Sequence, residues 1–183
     1  EAQGLLALLE LTIARFPARV GDDGAPVLLE QQDRRRWDRA AIRRGRAALV
    51  QAGRVGRGLG AYGIQAAIAE CHAVAPSVDE TDWDRIGLLY EALCRLAPSP
   101  VVELNRAVAI SMAQGPGAAL PVVDGLVAAG SLAGSHLLPS VRGELLRRLG
   151  RTDEARVELG RAVQLAGNER ERELLQRKLD ALC

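Results

Sequence analysis

Leu-Gly-Arg-Thr-Asp-Glu-Ala, residues 149–155, is the stretch on which the reading of this chain turns. A glycine between two helix-forming runs supplies the tight turn that joins antiparallel helices, and an alanine five residues later lets the second helix approach the first closely. Thr152 or Asp153 is placed to cap that second helix. The stretch therefore reads as the middle of a helix-turn-helix pair, with the first helix over 135–149 and the second starting near 152.

Outward from it, Ala155, Leu159, Ala162 and Gly167 are separated by four, three and five residues. The same steps separate Ile86, Tyr90, Leu93 and Pro98, and again Ala118, Val122, Gly125 and Gly130. The three sets begin 32 and 37 residues apart, either side of the roughly 34-residue period of the tetratricopeptide repeat. Each set is predicted to lie in the second helix of a pair, whose first helices fall at 61–75, 100–114 and 135–149. After Gly167 and Asn168, a helix over 169–182 carries Leu174, Leu175, Leu179 and Leu182 on one face, suited to closing the last groove of a stack.

Upstream, Leu5, Leu9, Ile13, Phe16 and Val20 step by four, four, three and four, one apolar face of a helix that ends near Pro17. Residues 21–26 are dense in turn formers and read as a loop. The short run Val27, Leu28 and Leu29 fits a strand or a tucked peg equally well. Between Asp33 and Val55, Ala41, Ile42, Gly45, Ala48, Leu49 and Ala52 keep helical spacing, with Arg36, Arg39, Arg43 and Arg46 on the opposite side. A Gly-rich stretch over 54–60 divides a predicted N-terminal helical junction region, residues 1–60, from three helix pairs and a capping helix, residues 61–183.

Composition agrees with an all-α fold. Apolar residues make up 48% of the 183 but aromatics only 3%, so the core is built from Leu, Ala, Val and Ile, which suits close-packed helices better than a sheet. The formal net charge is +1, which gives no global pull toward nucleic acid or a membrane. Locally, Asp38 is the single acid among nine arginines from Arg34 to Arg57. Cys71, Cys94 and Cys183 form no CxxC pair, so neither a disulfide framework nor a zinc site is expected, and a reducing cytoplasm is the natural compartment. The chain shows no export signal or spanning segment and opens without Met inside a predicted helix, so it reads as a piece of a longer protein.

Several phrases resemble the C-terminal extension of a group of bacterial extracytoplasmic-function sigma factors that carry tetratricopeptide repeats. They are Gln-Asp-Arg-Arg-Arg-Trp-Asp (32–38), Tyr-Gly-Ile-Gln-Ala-Ala-Ile-Ala (62–69), Glu-Thr-Asp-Trp (80–83), Pro-Val-Val-Glu-Leu-Asn-Arg-Ala-Val-Ala (100–109) and His-Leu-Leu-Pro (136–139). The resemblance runs along the whole chain. It implies a helical-hairpin solenoid that regulates transcription initiation, with the partner being RNA polymerase core or the protein's own upstream sigma domains, which alone would touch DNA. The chain departs from the pattern at Ser135, where an aromatic is expected, and at Gly143, where Ala is commoner, so looser packing is expected there.

Candidate interaction residues follow from position. Arg36, Arg39, Arg43 and Arg46 suit an acidic protein surface or phosphates, although a solvated helix face is the plainer reading and no interleaved aromatics are present to stack bases. Gln65 and His72, and Asn105 and Arg106 in the next first helix, would line a concave groove able to hold a peptide. Taken singly, His72 and Asn105 are more simply explained as satisfying backbone groups between helices. Gln32, Asp33, Trp37, Asp82 and Trp83 are read as structural, with Thr81 or Asp82 capping a helix that starts at Trp83.

Catalysis finds little support: His72 and His136 stand outside any HExxH, and no GxSxG, P-loop or dinucleotide fingerprint occurs. Cys71 and His72 are adjacent, which on a helix points them about 100° apart. No enzyme activity, metal or cofactor is expected. A stand-alone adaptor that binds a peptide or small ligand in its groove is the rival to sigma-factor regulation.

Overall fold

In the computed structural model, residues 1–21, 24, 27–54 and 58–182 are described, and among them the chain is all-helical, with nine α-helices. Most of the predicted loop at 21–26 and the centre of the Gly-rich stretch at 54–60 lie outside the described residues. The chain divides into two compact units, residues 1–97 and 98–183. The boundary expected near residue 60 falls inside the first unit, because the helix that follows it packs against those that precede it.

The first unit contains α1 (Ala2–Ile13), α2 (Arg39–Arg54), α3 (Ala61–Val74) and α4 (Trp83–Leu96). Helix α1 packs on both α2 and α3, and α3 on α4. The core is rich in alanine: Ala7, Ala14, Ala18, Ala41, Ala48, Ala66, Ala67 and Ala73 pack with Leu11, Trp37, Ile42 and Leu49. Side chains this small let helix axes approach closely, and the glycines go furthest. A Cβ at Gly4 would stand 2.7 Å from the backbone nitrogen of Gly63, and one at Gly45 would stand 2.7 Å from Cγ of Leu11.

This packing overturns the face expected for α1. Its buried residues are Gly4, Ala7 and Leu11, whereas Leu5, Leu9, Ile13, Phe16 and Val20 are all exposed. The apolar periodicity is present, but the small residues of the opposite face are the ones that fit against α2 and α3. The helix also ends earlier than expected, at Ile13, with Phe16–Ala18 forming a 3-10 turn around Pro17. The run Val27, Leu28 and Leu29 forms no strand; a 3-10 turn covers Leu29–Gln31, and Leu29 packs against the core as a tucked peg. Helix α2 starts at Arg39, behind a 3-10 turn at Arg34–Arg36, and buries the expected Ala41, Ile42, Gly45, Ala48 and Leu49.

The second unit contains α5 (Pro100–Gln114), α6 (Pro116–Ala128), α7 (Leu137–Arg148), α8 (Thr152–Gln164) and α9 (Glu169–Asp180), each packed on the next in chain order. The glycines at the pair turns, Gly115 (φ +93°) and Gly150 (φ +73°), adopt the left-handed backbone that other residues resist. The second helices occur where the repeat spacing put them, and Ala155, Leu159 and Ala162 are fully buried. The middle set was out of phase by one residue. Ala118 and Gly125 are exposed, and the buried positions are Ala119, Val123 and Leu126. Their starts lie 33 residues after Ile86 and 36 before Ala155.

Two local expectations also change. Helix α8 has no side-chain cap from Thr152 or Asp153; Arg151 precedes it and pairs with Glu154 at 2.6 Å. Packing at Gly143 is tight, because a Cβ there would meet Cγ of Leu159 at 2.8 Å. Asn168 caps α9 by accepting from the Glu171 amide at 2.9 Å, and Leu175 is the residue that α9 buries.

The backbone contact between α1 and α3 gives a direct test. Gly4→Ala is expected to cost about 2 kcal/mol in urea unfolding, since the atoms it meets are backbone and cannot swing aside. Gly53→Ala, with nothing within 4 Å of the added carbon, is expected to be neutral or slightly stabilising.

Candidate interaction surface

The phrase at 32–38 folds into a connector that joins three elements of the first unit. Asp33 caps its 3-10 turn by accepting from the Arg35 amide at 3.0 Å, and Asp38 accepts from the amides of Ala40 and Ala41 at the start of α2. Gln32 is buried; its amide donates to the Val27 carbonyl at 3.0 Å and its oxygen accepts from Arg15 Nε at 3.3 Å. Trp37 is 2% exposed and takes the guanidinium groups of Arg34 and Arg15 against its ring, at 5.2 and 5.7 Å from the centroid.

Arg34 is the buried charged residue that position alone did not single out. It is buried, and it donates to the carbonyls of His72 at 2.8 Å and Ala75 at 2.7 Å, with Thr81 Oγ1 at 3.4 Å. Those carbonyls end α3, where a helix leaves acceptors unmatched and carries partial negative charge, so the guanidinium is held by the helix terminus. Burial pushes its pKa down, yet an arginine stays charged in any such setting. The sequence marks the place only by the run of three arginines before Trp37 and does not say that one of them turns inward.

The remaining arginines separate by geometry. Arg44 binds Glu10 at 2.8 Å, and that hydrogen bond holds the Glu10 carboxyl below its usual range. Arg46 binds Glu70 at 2.9 Å. Arg36 lies in the 3-10 turn ahead of α2 and is exposed, as is Arg43, and neither forms a salt bridge among the described residues. Arg39 makes one long contact, 3.4 Å, to the Arg34 carbonyl. The expected stripe of four is therefore reduced to Arg36, Arg39 and Arg43, with Arg46 tied back to α3.

The expected groove residues are differently placed. Gln65 donates to the Ala61 carbonyl of its own helix at 3.3 Å. His72 meets the Trp83 ring edge-on, with centroids 5.2 Å apart, and its Nδ1 is buried without a hydrogen-bond partner among the described residues. Burial, with the charges of Arg15 and Arg34 nearby, lowers the His72 pKa from 6.5 to about 4. Trp83 is half-buried and donates to the Val78 carbonyl at 3.0 Å, while Asp82 caps α4 through the Arg85 amide at 2.9 Å. In the second unit, Asn105 is exposed and Arg106 is bound to Glu103 at 2.6 Å. The Cys71 thiol is buried, and that burial pushes its pKa up, away from a nucleophilic thiolate.

Comparison with known proteins gives a match to a family model over part of the chain and no activity. A model described as a family of unknown function (DUF6596) matches residues 1–53, which hold α1 and most of α2. An uncharacterised protein of Rhizobium meliloti (strain 1021) is 49% identical over 183 residues, covering 100% of this chain and 43% of the relative. The chain thus spans less than half the length of that relative. No solved structure matches. No helix among the described residues is long and apolar enough to cross a membrane.

The lowered pKa of His72 makes stability depend on pH in a defined direction. An unfolded histidine takes up a proton near pH 6.5 that the folded one refuses until about pH 4. The stability from this source is complete above pH 6.5 and is lost as pH falls toward 4. Comparing unfolding free energies at neutral pH and about pH 4.5, His72→Gln is expected to remove about 2 kcal/mol of the acid-induced drop. An equal drop in both proteins would show that His72 is not held neutral.

Proposed function

We propose that these residues form the regulatory, protein-interaction part of a bacterial extracytoplasmic-function sigma factor, acting in the cytoplasm on RNA polymerase core or on the sigma domains of the same protein. The observation that carries the reading is the fate of the phrases resembling that family. The phrase at 32–38 is the connector whose Arg34 and Trp37 join α2 to the end of α3. The phrases at 62–69 and 100–109 are the first helices α3 and α5 of successive pairs. The α5–α6 and α7–α8 pairs, joined at Gly115 and Gly150, favour a recognition surface made of stacked helix faces. The module has no cofactor in this reading and reaches DNA only through domains elsewhere in the protein.

Regulation of this kind is a coupling between surfaces, so its removal must change output. In vitro transcription with the full-length protein and with a form lacking residues 1–183 is expected to differ in polymerase binding, promoter choice or yield; identical behaviour would end the proposal in favour of an adaptor. The accessible arginines give a second measurement. Arg39→Glu with Arg43→Glu is expected to weaken partner binding and flatten its salt dependence while leaving the melting temperature within about 2 °C. Unchanged binding would make them a solvated face.

A further inference from the structure

Helix α1 and the turns that follow it present a row of large apolar side chains to solvent. Leu5, Leu6, Leu9, Ile13, Phe16 and Val20 are 38% to 53% exposed, while Gly4, Ala7, Leu11, Ala14 and Ala18 face the core. One glycine, three alanines and a single leucine inside, with six large apolar residues outside, reverses the usual economy of a surface helix, whose solvent face is polar. Contiguous exposed apolar surface of this kind marks a place that another surface covers. Arg19 lies against the Phe16 ring at 5.4 Å and gives the C-terminal end of the face a positive charge.

We infer that this face is the docking surface for the protein's own sigma-type domain, through an apolar helix face with acidic residues opposite Arg19. The inference rests on the function proposed above and names the surface that serves it. Two observations select a tethered occupant. The relative that matches this whole chain at 49% identity extends beyond it by more than the chain's own length, enough for a further domain. The face is also small. The six side chains are about half exposed, which gives on the order of 500 Å² of apolar surface, against about 800 Å² per partner in a stable free-standing complex. A tether supplies an effective concentration in the millimolar range and makes such a small contact sufficient.

The test uses the full-length protein with Leu9→Cys or Ile13→Cys, and Val157→Cys, whose native side chain is 72% exposed, as the reference. Maleimide labelling is followed by peptide mass spectrometry at concentrations spanning a hundredfold. Both α1 cysteines are expected to react at least about tenfold more slowly than the reference at every concentration, and a photo-cross-linker attached at residue 9 is expected to join the sigma-type helices. Ile13→Cys carries the same readout if Leu9→Cys fails to fold. Reaction as fast as the reference would overturn the inference, as would protection that vanishes on dilution, which means a second copy, or a cross-link to residues 98–182. Free labelling alongside a transcription effect of removing residues 1–183 removes the docking surface and keeps the proposed function; protection without such an effect does the reverse.

Discussion

Arg34 brings a permanent charge into the interior of the first unit, and what it meets there is the end of a helix. Its donors reach the carbonyls of His72 and Ala75, acceptors that α3 cannot satisfy by itself, and its face lies on Trp37. A charge left unpaired in such a place costs several kcal/mol, so each of these contacts is needed for the others to persist. Through this one side chain the connector before α2 is fixed to the end of α3, and the neighbouring His72 is confined between Trp83 and two guanidinium charges.

Around that junction, helix packing in the first unit is governed by the absence of bulk. The α1–α3 contact brings Gly4 against Gly63, and Leu11 lies over Gly45 in the α1–α2 contact. Close approach maximises dispersion contacts per unit of chain, but it leaves most of the large residues of α1 other than Leu11 without an internal place. The apolar face of α1 thus follows from the same packing choice that closes the core.

The second unit uses a more regular solution. Each helix packs on the next, and Arg142 binds both Asp124 and Glu158, at 2.8 and 2.7 Å, tying α6, α7 and α8 together at a half-exposed position. Arg148 reaches from α7 to Ser111 Oγ on α5 at 2.7 Å. Leu159 fills the space over Gly143, so the glycine that departs from the resembled pattern is matched by a larger neighbour.

The helix pairs were legible in the sequence because glycine turns and apolar spacing are local properties: the predicted first helices at 61–75, 100–114 and 135–149 coincide with α3, α5 and α7 to within two residues at each end. So was the cap at Asp82, which depends on the next few amides alone. The inward turn of one arginine among three was not legible, nor was the choice of which face of α1 is buried, nor the phase of the middle repeat set. Periodicity states that a helix has two faces; which of them is covered depends on the shape of the helices it meets. Here the glycines and alanines of distant segments decided it, and only the tertiary structure brings those segments together.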